Sequence, residues 1–230
     1  MLTLYSYPPL FGVADNNGYG LKVFAFLRLA SVPFQHEHIF DASDAPRGQL
    51  PYIVDGHDRV GDSDTIISYV SIKYGVTLDA ALSPAQRTTN LLITRTLDDL
   101  YWAMSYSRWK DERYWHQFRD ALKHEHPNLT DEGLMKAKEF NAQRYYYQGI
   151  GRFEPEAAMA RGLADLAALA TLVPPHGYVH GDKPTSIDAA IYGFVANIYF
   201  YDIKTPLKEF VVSRSSLAEH CRAIHAAVSV

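Results

Sequence analysis

A chain of 230 residues, 47% hydrophobic and 21% charged, is long enough to bury a substantial core as one large domain or two small ones. Its formal net charge of −4 gives no electrostatic reason to expect nucleic acid or an anionic membrane as a partner. One cysteine, Cys221, excludes an internal disulfide framework and a multi-cysteine metal site, and suits the reducing cytoplasm. The opening "MLTLYSYPPL" lacks a basic region followed by a long apolar run, so it does not read as a signal peptide. No stretch approaches the roughly 18 uninterrupted apolar residues of a membrane span. The anomaly is 16 tyrosines and 11 phenylalanines, a composition that suits half-buried surfaces such as a cleft or an interface.

In chain order, "LTLYSY" predicts a short strand. The polar loop "VADNNGYG" then runs into an apolar helix. Asp15, Asn16 and Asn17 are all good N-caps, and from Leu21 to Ala30 only Lys22 and Arg28 are polar, so that helix is buried around most of its circumference. "PFQHEHIF" (33–40) alternates as a strand, and "LPYIVDG" with "DRVGD" predicts two short strands turning at Asp55-Gly56. In "DTIISYVSIKYG", Ile66, Ile67, Val70 and Tyr74 share a helical face that Gly75 ends. The order is β-α-β and then β-β-α.

Strand signals nearly vanish from about residue 84. Ser83-Pro84 opens a long helix that reaches "SYSRW", and further helices are predicted over about 111–124, 131–146 and 154–172. A helix from Ser186 carries Ile187, Ala190, Ile191, Phe194, Val195 and Ile198 on one broad face. Thr185 and Asp188 supply its capping box, so it should be the central core helix of the helical half. "TPLKEF" reads as a connection, and a last helix is predicted over about 215–227. The division is a small α/β unit, 1–77, and an all-α unit, 84–230, with the boundary near "YGVTLDAALS".

Chemistry concentrates in "GQLPYIVDGHDRVGDSDTII", residues 48–67. Pro51 at a strand start loses no ladder donor, and a cis Leu50–Pro51 bond would leave the Tyr52 or Ile53 backbone free to pair with an extended ligand. Asp62-Ser63 opens a helix with a carboxylate, a hydroxyl and bare N–H groups together. That set suits a zwitterionic amino-acid group, its carboxylate on Ser63 and the N–H groups and its ammonium on Asp62. A hairpin followed by an ordinary Asp/Ser cap is the plain alternative for either half alone. The two together, after a β-α-β unit, favour the ligand.

"LPYIVDG…GDSDTII" resembles the glutathione-site signature of the glutathione transferase superfamily, and the Thr185/Asp188 box resembles its capped core helix. "FGVADNNGYGLKVFAFLRLASVPF", "RGQLPYIVDG", "LYWAMSYSRW", "QGIGRF" and "GDKPTSIDAAIYGF" together resemble the failed-axon-connections and metaxin-like branch along almost the whole chain. The resemblance implies a thioredoxin-like N-terminal domain, an all-α C-terminal domain, a cytoplasmic homodimer, and glutathione as cosubstrate with no metal. It implies Pro51, Tyr52 and Ile53 for the cysteinyl part of glutathione, and Asp62 and Ser63 for the γ-glutamyl part. The thiol-activating position, usually serine or cysteine, falls on Asn17, and a second cysteine common in the branch falls on Gly20.

An asparagine amide can donate to a thiolate, with help from the amides of residues 18–20, but it cannot form a mixed disulfide. Tyr7, at the end of the first strand, is the competing activator. The run "LYWAMSYSRWKDERYWHQF" suggests a wall for an apolar electrophile, formed by Tyr101, Trp102 and Tyr106 with Phe11 and Tyr19. Interhelical packing is the commoner source of such a stripe. Arg108 could pair with Asp98, with Asp99 or with a ligand carboxylate. The histidines of "KHEH" (123–126) lack a third metal ligand at a sensible spacing. Two functions follow: conjugation of the glutathione thiolate to an apolar electrophile, or a non-catalytic glutathione-binding or interaction module on the same fold.

Overall fold

A computed structural model describes residues 1–229. Strands β1 (Leu2–Ser6), β2 (Phe34–His38), β3 (Tyr52–Asp55) and β4 (Asp58–Gly61) form a mixed sheet in the order β2-β1-β3-β4. β1 runs parallel to β2, with Leu2 opposite Phe34, and antiparallel to β3, with Leu4 opposite Ile53. The β1–β2 crossover is helix α1 (Gly18–Leu29), and the β3–β4 hairpin turns on Gly56, whose φ of +67° needs no Cβ to be accommodated. Helix α2 (Ser63–Lys73) covers the sheet with Ile66 and Val70 and ends before Gly75 at φ +64°.

The rest of the described chain is helical: α3 (Pro84–Trp109), α4 (Glu112–Glu125), α5 (Asp131–Gln148), α6 (Pro155–Leu172), α7 (Ser186–Tyr199), α8 (Pro206–Ser213) and α9 (Ser215–Val228), with a short 3-10 turn at Ile150–Arg152. "TPLKEF" proves to be the start of α8, not a connection. Thr205 accepts the Lys208 N–H at 3.2 Å, Pro206 takes the first turn, and Leu207 and Val211, four residues apart, are buried. This is the cap-and-proline start that also opens α3, where Ser83 and Gln86 close a reciprocal capping box.

Helix α7 is buried from Ile187 to Ile198 and packs on α1 as well as on α3 and α9, so it joins the sheet half to the helical half. The joint is close because two glycines face each other. A Cβ on Gly193 would lie 2.5 Å from the Gly18 carbonyl oxygen, and one on Gly18 would lie 2.6 Å from the Phe194 ring. The N-terminus of α7 is anchored by Asp188, fully buried. Its carboxylate accepts the Thr185 and Val179 N–H groups at 2.8 and 3.0 Å and meets His220 Nε2 at 2.9 Å. Those donors hold its pKa below the usual carboxylate range, against the opposing effect of burial. Lys22, the polar break in the apolar run of α1, is buried and ties α1 to the start of α2 through Ser63 Oγ at 3.3 Å and the Asp64 carboxylate.

Gly193→Ala should cost about 1–3 kcal/mol, because both partners of the clash are helix backbone or are held by it. At roughly 2–4 °C per kcal/mol for a chain of this size, the melting midpoint falls by several degrees. An unchanged midpoint in differential scanning calorimetry would show that α1 and α7 separate without loss.

Candidate functional site

Two cavities open between the sheet half and the helical half, and they share a wall. The smaller, about 690 Å³, is bounded by Arg47, Gly48, Gln49, Leu50 and Pro51, by Asp62, Ser63 and Asp64 at the start of α2, and by Arg95, Asp98 and Trp102 on α3. The larger, about 920 Å³, lies between the loop 40–43, α3 and α5, with Met104, Trp109, Leu122, Leu129, Leu134 and Ala137 among its apolar surfaces. Tyr7, Asn17, Gly48, Tyr101, Phe140 and Arg144 line both.

Around the smaller cavity, the Leu50–Pro51 bond is cis. The cavity meets the chain at Gln49, Leu50 and Pro51, not at Tyr52 and Ile53. Those two residues lie in β3 with strands on both sides, Tyr52 opposite Tyr5 and Gly61, Ile53 opposite Leu4 and Val60, and both are buried. Leu50, two residues before Tyr52 and three before Ile53, lies outside the ladder and borders the cavity. Asp62 caps α2 by accepting from the Thr65 N–H at 3.0 Å and the Thr65 hydroxyl at 2.8 Å. It does so at φ +73°, a conformation that costs a non-glycine residue about 1–3 kcal/mol and that clusters where ligands are held. Ser63 is buried, and with its oxygen accepting from Lys22 Nζ its hydroxyl hydrogen can be given to a ligand.

The loop before α1 is held rigidly. Asn17 is the N-cap: its Oδ1 accepts the Tyr19 N–H at 3.0 Å, and its own N–H donates to Asp15 Oδ1 at 2.6 Å. Its amide Nδ2 has no acceptor among the described residues. Arg108, buried on α3, donates to the Asn16 carbonyl at 2.7 Å and the Asn197 carbonyl at 2.5 Å, while Asn197 Nδ2 donates to the Asp15 carbonyl at 3.1 Å. Arg108 therefore pairs with neither Asp98 nor Asp99. Asp98 accepts from Arg95 at 2.9 Å and from Tyr19 Oη at 3.2 Å, and Asp99 accepts from Arg161 at 3.1 Å.

Asp15 is fully buried with Oδ2 unpaired. Burial pushes its pKa up to about 8, against the Asn17 N–H and the Arg108 charge. A Cβ on Gly20 would lie 1.6 Å from that Oδ2, so no side chain fits at position 20 beside this carboxyl. Tyr7, half-buried on the shared wall, has its phenol pKa pushed up to about 12 by burial, by Tyr101 and by Asp15, with Arg144 opposing. At neutral pH it is a donor and not a base.

The aromatic residues divide. Tyr101 is on the shared wall, and Trp102 and Tyr19 face only the smaller cavity. Tyr106 and Phe11 line neither. Tyr106 is buried with its hydroxyl donating to the Phe153 carbonyl at 3.2 Å, and Phe11 packs edge-on against Tyr201 at 5.0 Å. Reasoning from sequence missed Arg47, Leu50, Phe140 and Arg144. For the last two a signal existed, because Leu134, Ala137, Phe140, Asn141 and Arg144 recur at helical spacings of three and four.

Comparison with known proteins gives matches to two family models. They are the glutathione S-transferase N-terminal domain over residues 19–114 and the glutathione S-transferase C-terminal domain over residues 162–224. The chain is 33% identical over 207 residues to the isoprene-epoxide–glutathione S-transferase of Rhodococcus sp. (strain AD45), covering 86% of this chain and 87% of that protein. It is 25% identical over 209 residues to Failed axon connections of Drosophila melanogaster, covering 85% of this chain and half of that longer protein. Among solved structures, the β-etherase LigF of Sphingobium sp. strain SYK-6 superposes with a TM-score of 0.65 at 17% identity, over 99% of this chain and 97% of the other. A glutathione S-transferase of Methylobacillus flagellatus with glutathione bound superposes with a TM-score of 0.64 at 11% identity, over 100% and 98%.

The Asp15 carboxyl makes stability depend on pH. Its folded pKa, about 8, lies above the unfolded value of 3.8, so its favourable contribution is complete below about pH 4 and is lost as pH rises through 8. The difference in unfolding free energy between the wild type and Asp15→Asn, from urea titrations over pH 4–9, should therefore shift against the wild type across that interval and level off above it. A difference independent of pH would mean that Asp15 is ionised throughout.

Proposed function

This chain belongs to the glutathione S-transferase family, and on that premise we propose that it binds glutathione in the smaller cavity and conjugates the thiolate to an apolar electrophile held in the larger one. The observation that carries the reading is the shared wall: a polar cavity ending at Ser63 and an apolar one under α5 meet at Tyr7, Asn17, Tyr101 and Arg144.

The γ-glutamyl carboxylate is taken by the Ser63 hydroxyl and the open N–H groups of α2, and its ammonium by Asp62. The cysteinyl backbone lies along Leu50. The sulfur then reaches the shared wall, where the Tyr7 hydroxyl and the Asn17 amide hydrogens are donors. The thiol releases its proton to water. The thiolate attacks the electrophilic carbon, and the group displaced from that carbon leaves with the bonding pair. For an epoxide, the electrophile named in the Rhodococcus relative, the displaced oxygen stays attached and takes a proton as the ring opens. Catalysis of this kind consists of positioning and of holding charge, with no covalent enzyme intermediate. A cavity of about 920 Å³ has room for electrophiles far larger than a five-carbon epoxide.

The finer parts of the reading are a division into units 1–77 and 84–230, a homodimer and residence in the cytoplasm. Exposed Ile72 on α2 and Leu91 and Leu92 on α3 supply apolar surface for a second copy. The single free cysteine, buried with its thiol raised to about 12 by burial, suits a reducing compartment.

Calorimetry with glutathione, together with ultraviolet titration of the bound thiol, tests the function. The expected result is saturable binding with a thiol pKa at least about one unit below the free value of roughly 8.5. Tyr7→Phe and Asn17→Ala should each raise that pKa, and Ser63→Ala should weaken binding by about 3–10-fold. Binding with an unshifted thiol would leave a glutathione-holding module. Light scattering should give twice the chain mass, and a monomer at micromolar concentration would remove the dimer.

A further inference from the structure

Asn17, the cap before α1, carries no hydroxyl, thiol or charge, and the geometry points to Arg144, on α5 in the helical half, as the cation that faces and stabilises the glutathione thiolate. The inference rests on the glutathione reading and assigns the charge that reading lacks.

Elimination among the cations of the site leads to Arg144. Arg47 and Arg95 line only the smaller cavity, and Arg95 is paired with Asp98. Lys136 lines only the larger one. Arg108 reaches the larger cavity, but its guanidinium is committed to the Asn16 and Asn197 carbonyls. Among the described residues Arg144 is the one cation on the wall common to both cavities, where a sulfur held in one and an electrophile held in the other must meet.

Its own bonding leaves it available. The guanidinium donates to a neutral acceptor, Asn141 Oδ1, at 2.9 Å, and among the described residues no carboxylate pairs with it. It lies over aromatic faces, with its central carbon 5.2 Å from the Trp102 ring centroid, 5.9 Å from Phe140 and 6.0 Å from Tyr101. Cation–π contacts of this kind are made by the charge and leave the guanidinium N–H donors free. Burial works against the charge, but the Tyr101 oxygen beside the guanidinium favours it and the net direction is upward, so Arg144 stays protonated. A half-buried cation with no anion of its own is a site for an incoming anion, and the ionised sulfur is the anion that forms at this wall. The ionisation breaks only the S–H bond, and the proton goes to solvent.

Other ionisable groups face the same space: Tyr7 after β1, Tyr19 on α1, Asp41 in the loop after β2, Tyr101 and Asp98 on α3, and Asp62 and Asp64 at α2. Of the four carboxylates, Asp41 borders only the larger cavity and the others only the smaller, and all raise a thiol pKa. They therefore cannot account for a lowered one.

The test compares Arg144→Met, which keeps the stacked stem, with Arg144→Lys, which keeps a charge. Two probes are used: glutathione, whose bound thiol is titrated in the ultraviolet, and S-methylglutathione, which has no thiol to ionise. In Arg144→Met the bound thiol pKa should rise by about one unit or more, a tenfold loss of thiolate near neutral pH. The Kd for S-methylglutathione should stay within about threefold of wild type, and Arg144→Lys should recover part of the pKa shift. If Arg144→Met fails to fold, Arg144→Gln, neutral and still able to donate to Asn141, is read by the same criteria. An unchanged thiol pKa overturns the inference. So does equal weakening of both ligands without a pKa change, which would make Arg144 a carboxylate clamp. A wild type that binds neither ligand defeats the glutathione reading itself, and a wild type that binds both with an unshifted thiol defeats the inference alone.

Discussion

Arg108 is the interaction on which the rest of the site depends. A guanidinium brought out of water needs compensation, and here no carboxylate supplies it through a direct pair. The compensation comes from the Asn16 and Asn197 carbonyls and from the faces of Tyr201 and Phe118, 4.7 and 5.7 Å away. Those acceptors lie in the loop before α1 and on α7, while the donor is on α3. One side chain therefore sets where the loop sits relative to both helices. Removing it would leave two inward-facing carbonyls unpaired, so its loss is felt as misplacement of Asn17 as well as lost stability.

The same loop is held from below by helix packing. Gly18 and Gly193 bring α1 and α7 into backbone contact, and Lys22 carries the position of α1 onward to Ser63. The two ends of the smaller cavity, the α1 start and the α2 start, are thus fixed to one helix that is itself clamped to the helical half. A site at such a seam is preorganised, since little ordering remains to be done when the ligand arrives. The capped, buried Asp188 plays the corresponding part at the start of α7.

Much of this was legible in the sequence, because caps and periodicity are local. Asn17, Ser83 and Thr185 mark helix starts that the structure keeps, and the strands fall where alternation puts them. The start of α8 was legible too, in Thr205-Pro206, but an eight-residue helix has too few turns for periodicity to outweigh a proline read as a break. What was not legible is what depends on tertiary neighbours. Whether Tyr52 and Ile53 present free backbone is decided by β1 and β4 closing on both sides of β3. That Arg108 turns inward to carbonyls, and not along α3 to an acidic neighbour, depends on α7 lying about ninety residues away in the chain. Arg144 follows the same rule: the spacing gave it a helix face, but nothing local said that the face was a wall of the cleft.

The contact between Gly20 and Asp15 couples the substitutions that the two positions can accept. A cysteine at position 20 would have to occupy space that the Asp15 carboxyl fills, and that carboxyl is locked to the Asn17 N–H. Introducing a thiol by one substitution at 20 is sterically closed, while shortening residue 15 first removes an anchor of the loop. The two positions are epistatic: each step alone is harmful, and only the pair makes room for a cysteine beside the start of α1.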